Sequence, residues 1–556
     1  MNGESRSRFR GRVRFARPEL RLLPDRFLNG AIRVLVGARM TSPKEIELKL
    51  EIPPASVPAL GRIPSLRALV DHPDTATEIS VYFDTDKHKL RRHGLMLRVR
   101  RTGDRRVQTI KAAANGKFLE RDEWEAEIAS DTPDLSLARG TALEPLLSRK
   151  LRRRLKPVFE TKVRRASSSL SDESRAVMLT LDKGRVDTGE RSQPLCEIEL
   201  ELKRGAREAL FELAREVVDA LPAQLAVASK SERGYALIDG ADGAPAKAVS
   251  VDLHRDMDAR DGFRAIARSC LKQIVANVPA LRADDPEGVH QMRVGLRRLR
   301  AAMSLFGDIL NDKETAAIKR ELKWLTRELA ESRQLEVLIR RVVAPAKRRR
   351  TPASGLSSFA RDIDRQRAQA LDRAQEAVGS ARFRRLLVEV AAWIETGQWA
   401  LPQDDLIRRR AEMPVSEFAA GELTRRWRKL RKKCRALQKL SPRRRHKLRI
   451  QGKKLRYASE FFASLFPGRK AARRRKALLA CLERLQDGLG DLNDIAVHED
   501  LMAASIRFDD GGKRHPSRKR AFAAGMLAGR EDARFDAVLA RACQACAALA
   551  KTRTFW

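Results

Sequence analysis

The sequence predicts a multidomain α+β protein, an antiparallel β-barrel with a charged interior followed by an all-α domain. Three observations predict it. Charged and apolar residues alternate along many short segments of the first half, which is the period of a strand. The alternation stops at residues 239–245, a stretch of Asp, Gly, Ala and Pro that reads as a linker. Beyond it, apolar residues recur at helical spacing almost to the end. The boundaries expected from this are a basic extension over 1–40, a strand-rich domain over 41–238, a linker over 239–254 and a helical domain over 255–550, in two halves of about 255–400 and 415–550.

The first strand sets the pattern. Glu45, Glu47 and Lys49 share one face, and Ile46, Leu48 and Leu50 the other. Similar rows follow: Arg98 and Arg100; Arg121, Glu123, Glu125 and Glu127; Glu197, Glu199, Glu201 and Lys203. One such row would suit a solvated sheet. Several rows, acidic on some strands and basic on others, point to a shared polar interior, and strands closed on themselves would create that lumen while removing sheet edges.

In chain order, Pro53, Pro54, Pro58 and Pro64 make a turn region with a short helix at 65–70. Strands are expected at 78–83, 95–101, 106–112 and 116–128, and a helix at 135–155 between Pro133 and Pro157. Further strands follow at 158–165, 167–170, 176–182, 185–188 and 195–203, then a helix at 207–221. The second half reads as helices at 263–278, 288–310, 313–343, 355–378, 383–394, 421–440, 443–465, 469–489, 491–505 and 520–551.

The helical half contains an internal repeat. His290, Arg293, Arg297 and Arg300 fall within an arc of about 80° on a helical wheel, beside Met292, Leu296, Leu299, Met303 and Phe306. His446, Arg449, Lys453 and Arg456 repeat that arc 156 residues later, beside Leu448, Leu455 and Phe462. Few acids stand among these bases. Uncompensated like charges on successive turns destabilise a helix, so an anionic ligand is the expected counter-charge. A metal role for the histidines is weak, because Glu287 beside His290 corresponds to Arg443 beside His446.

Composition narrows the function classes. A net charge of +41 and a pI near 10.8 imply polyanionic partners. Aromatic residues make up only 5% of the chain, which argues against single-strand binding by base stacking. General nucleic-acid binding is compatible with the charge but not favoured. No apolar run reaches the roughly 18 residues of a membrane span. The six cysteines are too sparse for a disulfide framework, and Cys543-x-x-Cys546 lacks a second pair for zinc, so a reducing cytoplasm fits. Residues 1–39 hold ten arginines and no lysine; they read either as an extension ahead of a start at Met40 or as a basic, largely disordered arm.

Glu45-x-Glu47-x-Lys49, Tyr82-Phe83-Asp84-Thr85, Leu97-Arg98-Val99-Arg100, Leu181-Asp182, Glu197-Ile198-Glu199 and Ser229-Lys230 together resemble the CYTH domain of the triphosphate tunnel metalloenzymes. The resemblance implies a triphosphate tunnel with Mg²⁺ or Mn²⁺ as cofactor. Glu45, Glu47, Asp182, Glu197 and Glu199 would be metal ligands, since hard carboxylate oxygens suit these ions. Lys49, Arg98, Arg100, Lys111, Arg164 and Lys230 would hold the phosphates. Glu45, Glu47, Lys49, Glu197 and Glu199 would form the catalytic set. The activity implied is hydrolysis of inorganic triphosphate to diphosphate and phosphate. A non-catalytic polyphosphate binder, cyclisation of ATP and hydrolysis of thiamine triphosphate are the alternatives. No Walker A loop is present, so a P-loop nucleotidase is not expected.

The duplicated His-x-x-Arg helix resembles the CHAD domain, which implies two similar four-helix bundles and binding of inorganic polyphosphate by His290, Arg293, Arg297, Arg300, His446, Arg449, Lys453 and Arg456. For a protein of the reducing cytoplasm, it implies polyphosphate granules as one place of association. One part departs from that pattern. Gly490-Asp491-Leu492-Asn493-Asp494 is intact, but its first-half counterpart is Ser332-Arg333-Gln334-Leu335-Glu336, with Gln334 and Glu336 where aspartates are usual. Chain length of the substrate, the choice of metal and the oligomeric state stay open at this level.

Overall fold

The computed structural model describes residues 44–112, 119–348, 354–507 and 518–556. The expectation for residues 1–39 lies outside them. The first half forms a nine-stranded antiparallel sheet: β1 (Lys44–Glu51), β2 (Asp74–Asp84), β3 (Leu95–Thr102), β4 (Arg105–Ala112), β5 (Glu120–Glu127), β6 (Lys156–Ser171), β7 (Ala176–Asp187), β8 (Ser192–Arg204) and β9 (Gln224–Ala226). Its order is β5-β4-β3-β2-β6-β7-β8-β1-β9. The expected continuous barrel is not what forms. The two ends of the sheet meet at a short seam, where Lys44, Glu45 and Ile46 of β1 pair with Asp122, Arg121 and Glu120 of β5. Beyond it β9 takes over that edge of β1, opposite Lys49 to Glu51.

The alternation of β1 resolves as two opposite environments. Leu48 and Leu50 join Ile198, Leu200, Val177 and Leu179 in a core covered by α1 (Glu208–Ala220), whose Leu210, Phe211, Leu213 and Val217 are fully buried. The charged rows therefore turn to the other face. A separate apolar cluster packs Phe83, Leu97, Val99 and Ile110 against Leu135, Ala138, Leu143 and Leu151.

Several expected elements change length. The helix at 135–155 shrinks to Arg149–Arg154, because Gly140 sits at φ 77° and Pro145 follows; Leu135, Ala138 and Leu143 are buried from turns instead. The strands at 158–165 and 167–170 are one strand, as are those at 176–182 and 185–188. The short β9 and α2 (Lys230–Ile238), opened by a Ser229–Glu232 capping box, were not anticipated.

The second half is helical: α3 (Ala259–Ala276), α4 (Pro286–Leu305), α5 (Lys313–Glu328), α6 (Ala330–Leu338), α7 (Leu356–Gly379), α8 (Ala381–Thr396), α9 (Val415–Cys434), α10 (Pro442–Phe461), α11 (Arg469–Arg507), α12 (Arg518–Asp532) and α13 (Phe535–Lys551), besides shorter helical pieces such as Asp405–Ala411. The repeat is visible locally. α4 and α10 are each 20 residues long with proline at the first position, where its missing N–H costs nothing. They pack on one another, and the repeat-related Phe306 and Phe462 lie 6.2 Å apart, with Phe418 stacked on Phe306 at 4.5 Å. One apolar core runs from β1 and α1 into α8 and the helices beyond. Arg215 of α1 chelates Glu389 of α8 through two bonds of 2.9 Å, and Arg385 of α8 bonds Asp219. No described helix is long and apolar enough to cross a membrane.

Candidate active-site cavity

The charged rows of the sheet converge on a cavity of about 740 Å³. Glu45, Glu47 and Lys49 of β1, Arg98 and Arg100 of β3, Lys111 of β4, Glu199 of β8 and Lys230 of α2 all line it. Three expected residues do not. Arg164 is exposed on the outer face of β6, and the neighbouring Arg165 points inward instead; in an uninterrupted strand a shift of one residue reverses the face. Asp182 and Glu197 are completely buried behind the cavity wall. The lining also includes Glu123 and Glu125 of β5, Tyr82, Tyr235, Arg91, Glu201, Lys203, Glu232 and Lys272, none of which the sequence singles out as a site residue.

Asp182, Glu197 and Glu199 bring one oxygen each within 4.8 Å of one another. A cation already sits among them. The Lys230 ammonium lies 2.7 Å from Asp182 Oδ2, 2.6 Å from Glu197 Oε1 and 2.8 Å from Glu199 Oε1. Arg165 donates twice to Asp182, at 2.7 and 2.6 Å, and once to Glu199 at 3.1 Å. Burial alone would raise the Glu199 pKa, but Lys230, Lys49 and Arg165 hold it well below the usual carboxylate range. Burial likewise opposes the charge on Lys230, and Glu197, Glu199 and Asp182 overcome it and raise its pKa. This part of the expected metal set is therefore an internal ion cluster.

The rest of the lining is more open to a ligand. Lys49 bonds Glu199 and lies 3.1 Å from Glu47 Oε2. Lys111 bridges Glu45 at 2.6 Å and Glu123 at 3.0 Å, and Arg100 reaches Glu125 at 3.2 Å. Two buried atoms stand out, because neither Glu47 Oε1 nor Arg98 Nε has a hydrogen-bond partner. A buried carboxylate oxygen and a buried guanidinium nitrogen both left unpaired are costly. A cation held against carboxylates and an anion held against guanidinium groups would satisfy both. Glu45 and Glu47 thus fit a hard divalent ion by donor type, with Glu199 within the same lining.

A second charged site lies in the helical half. His290 Nδ1, Arg293 Nε and Arg297 Nε of α4 and Arg449 Nε of α10 are buried without hydrogen-bond partners. Burial, Arg297 and Arg333 lower the Arg293 pKa to about 10. Burial, then Arg449, Arg297 and Arg456, push Lys453 down to about 7 against the opposing pull of Asp494. Burial and Arg333 push His290 down to about 4. The two expected rows do not behave identically. Arg300 is exposed, and His446 is exposed with Nδ1 2.7 Å from Asn493 Oδ1. Arg341, from the first half, meets Asp491 at 2.7 Å and Asp494 at 3.3 Å, so the intact acidic stretch is paired across the repeat.

Comparison with known proteins follows the same division. The CYTH domain family matches residues 43–235, and the CHAD domain family matches residues 265–503. An inorganic triphosphatase of Haemophilus influenzae is 30% identical over 200 residues, which is 35% of this chain and 55% of that protein. The chain thus spans about half the length of this relative. Among solved structures, the CHAD domain from the plant Ricinus communis is 27% identical with a TM-score of 0.47, covering 56% of this chain and 98% of that one. A candidate adenylyl cyclase from Hippeastrum with a dominant triphosphatase activity is 20% identical with a TM-score of 0.28, covering 34% and 95%. The chain carries a CYTH domain over residues 43–235 followed by a CHAD domain over residues 265–503.

Proposed function

We propose that the cavity hydrolyses inorganic triphosphate with the help of a divalent cation, and that the helical part holds inorganic polyphosphate. The observation that carries the reading is the unpaired Glu47 Oε1 and Arg98 Nε in the lining of one cavity. A ligand with separated charges of both signs satisfies them, and a metal–phosphate complex is such a ligand. Mg²⁺ or Mn²⁺ held by Glu45 and Glu47, with Glu199 beside them, would supply charge neutralisation on the phosphates and a water of lowered pKa.

The chain's own residues do the positioning. Arg98 and Arg100 present planar forks suited to phosphate oxygens, and Lys49 and Lys111 add point charges. Lys111 is poised to exchange Glu45 and Glu123 for a phosphate oxygen. In the reaction, a water oxygen bonds to a terminal phosphorus while the bridging P–O bond breaks, diphosphate leaves with the electron pair of that bond, and the proton lost by the water passes to solvent or to the departing diphosphate. The arginines stabilise charge on the equatorial oxygens throughout. Glu197 and Asp182, buried behind the wall and paired there with the lining residue Lys230, fix the geometry rather than touch substrate. In the helical part, the unpaired nitrogens of His290, Arg293, Arg297 and Arg449 would engage the oxygens of a polyphosphate chain.

Organic triphosphates are disfavoured by the aromatic residues of the cavity. Tyr82 is stacked on Phe159 with centroids 4.4 Å apart, and the Tyr235 hydroxyl donates to Asp84 at 2.8 Å. Both rings are buried and already packed, so neither offers a free face to a base. The test compares phosphate release from inorganic triphosphate, ATP and thiamine triphosphate, with Mg²⁺, Mn²⁺ or a chelator. Fast release from inorganic triphosphate alone, stopped by the chelator, supports the reading. Equal or faster release from ATP moves the substrate assignment to a nucleotide. Tight polyphosphate binding with no release from any of the three makes the protein a binder.

A further inference from the structure

The cavity of the sheet domain is not built from that domain alone. Lys272, on α3 of the helical part, belongs to its lining. The cations of the cavity also differ in depth. The side chains of Lys230, Lys49, Arg98 and Lys111 are 10 to 14% exposed, whereas Lys272 is 53%, Lys203 50% and Arg91 39% exposed. Lys272 thus stands with Lys203 and Arg91 at the solvent end of a lining whose buried cations can serve a short phosphate chain by themselves, and it is the one of these three that the helical part supplies.

Its position is held from both sides. The Lys272 ammonium lies 2.6 Å from Glu232 Oε1. The other oxygen of Glu232 accepts from the Ser229 backbone N–H at 2.8 Å and from the Ser229 hydroxyl at 3.1 Å. Ser229 caps the helix that begins with Lys230. The helical part therefore meets the cavity at Glu232, two residues from the cation that organises its carboxylates. The apolar core shared by the two parts keeps α3 in place there.

We propose that Lys272 is a substrate-positioning residue through which the helical domain favours phosphate chains longer than three. The inference rests on the triphosphate reading of the cavity. A triphosphate fills the buried cations. A fourth or later phosphate extends toward the exposed lining, where the Lys272 ammonium exchanges a Glu232 oxygen for a phosphate oxygen.

The test uses the full chain and linear inorganic chains of three, four and six phosphates. Equilibrium binding without divalent cation is measured first, then KM and kcat with Mg²⁺ or Mn²⁺. In Lys272→Ala, affinity for the four- and six-phosphate chains is expected to fall about three- to tenfold, the range for one partly exposed charge contact. Triphosphate affinity and kcat should change less than about twofold, and Lys272→Arg should restore the long chains. Equal effects on all three lengths, or none, would overturn the assignment and leave Lys272 as a surface partner of Glu232. Absence of turnover by the unaltered chain would sink the enzymatic reading itself, whereas length-dependent loss of binding would still locate the phosphate chain beside Lys272.

Discussion

Lys230 is the residue on which the buried carboxylates depend. With three carboxylate oxygens within 2.8 Å of its ammonium, its truncation takes from the fully buried Glu197 carboxylate its partner at 2.6 Å. Lys230→Ala should therefore cost about 3–5 kcal/mol at neutral pH, read as a lower urea midpoint at unchanged m. The pH dependence follows from the direction of the shifts. The Glu199 pKa is depressed in the fold, so its contribution is present above the unfolded value of about 4.3 and is lost as pH falls through the folded value. The Lys230 pKa is raised, so its contribution is present below about 10.4 and is lost as pH rises through the folded value. The deficit of the variant should be largest between about pH 5 and 10 and shrink in acid, where the orphaned carboxylates take up protons. A deficit of the same size at pH 7 and pH 4 would show that the cluster is not what Lys230 stabilises.

Among the elements, α10 carries the clearest pH signature. Lys453 lies on it among Arg449, Arg456 and Arg297 of α4, and burial with these neighbours brings its pKa to about 7. Below that pH the free protein holds a charged lysine there, and above it a neutral one. A polyanion stabilises the charged form, so binding at pH 8 should take up a proton and affinity should weaken as pH rises above 7. Calorimetry in buffers of different ionisation enthalpy reads that proton directly, and Lys453→Met should abolish it. If buffer identity leaves the binding heat unchanged at pH 8, Lys453 is not part of the site. The legibility of these elements from sequence varied for physical reasons. The alternation of Glu45 to Leu50 disclosed an inward charged face because a strand has a strict period of two. Arg164 was expected from the resemblance and not from alternation; β6 carries an irregularity opposite Tyr82 and Phe83, and beyond it Arg165 is the residue that faces the cavity. The Gly140 turn hid inside a helical pattern. The capture of Asp182, Glu197 and Glu199 by Lys230 joins positions far apart in the chain, which composition and spacing cannot express.

At the scale of the whole molecule, the two domains share one core. Leu210, Phe211 and Leu213 of α1 are buried in the same cluster as Leu386, Val390 and Trp393 of α8. A fragment of residues 41–238 should consequently melt well below the intact chain and bind an apolar dye, because separation uncovers that face. By contrast, Glu389→Ala in the intact chain should cost at most about 1 kcal/mol, as its pairs with Arg215 and Arg385 are partly exposed. A fragment as stable as the intact chain would mean that the domains are merely tethered.

The central claim is that Glu45 and Glu47 make the cavity a hydrolase of triphosphate rather than a receptor for it. The most direct measurement is phosphate release from inorganic triphosphate with Mg²⁺ or Mn²⁺, comparing the unaltered chain with a Glu45→Ala, Glu47→Ala double variant. Release by the unaltered chain and a fall of at least about 100-fold in the variant are expected, with polyphosphate binding by the helical part retained. Release that survives in the variant, or no release by the unaltered chain, would contradict it.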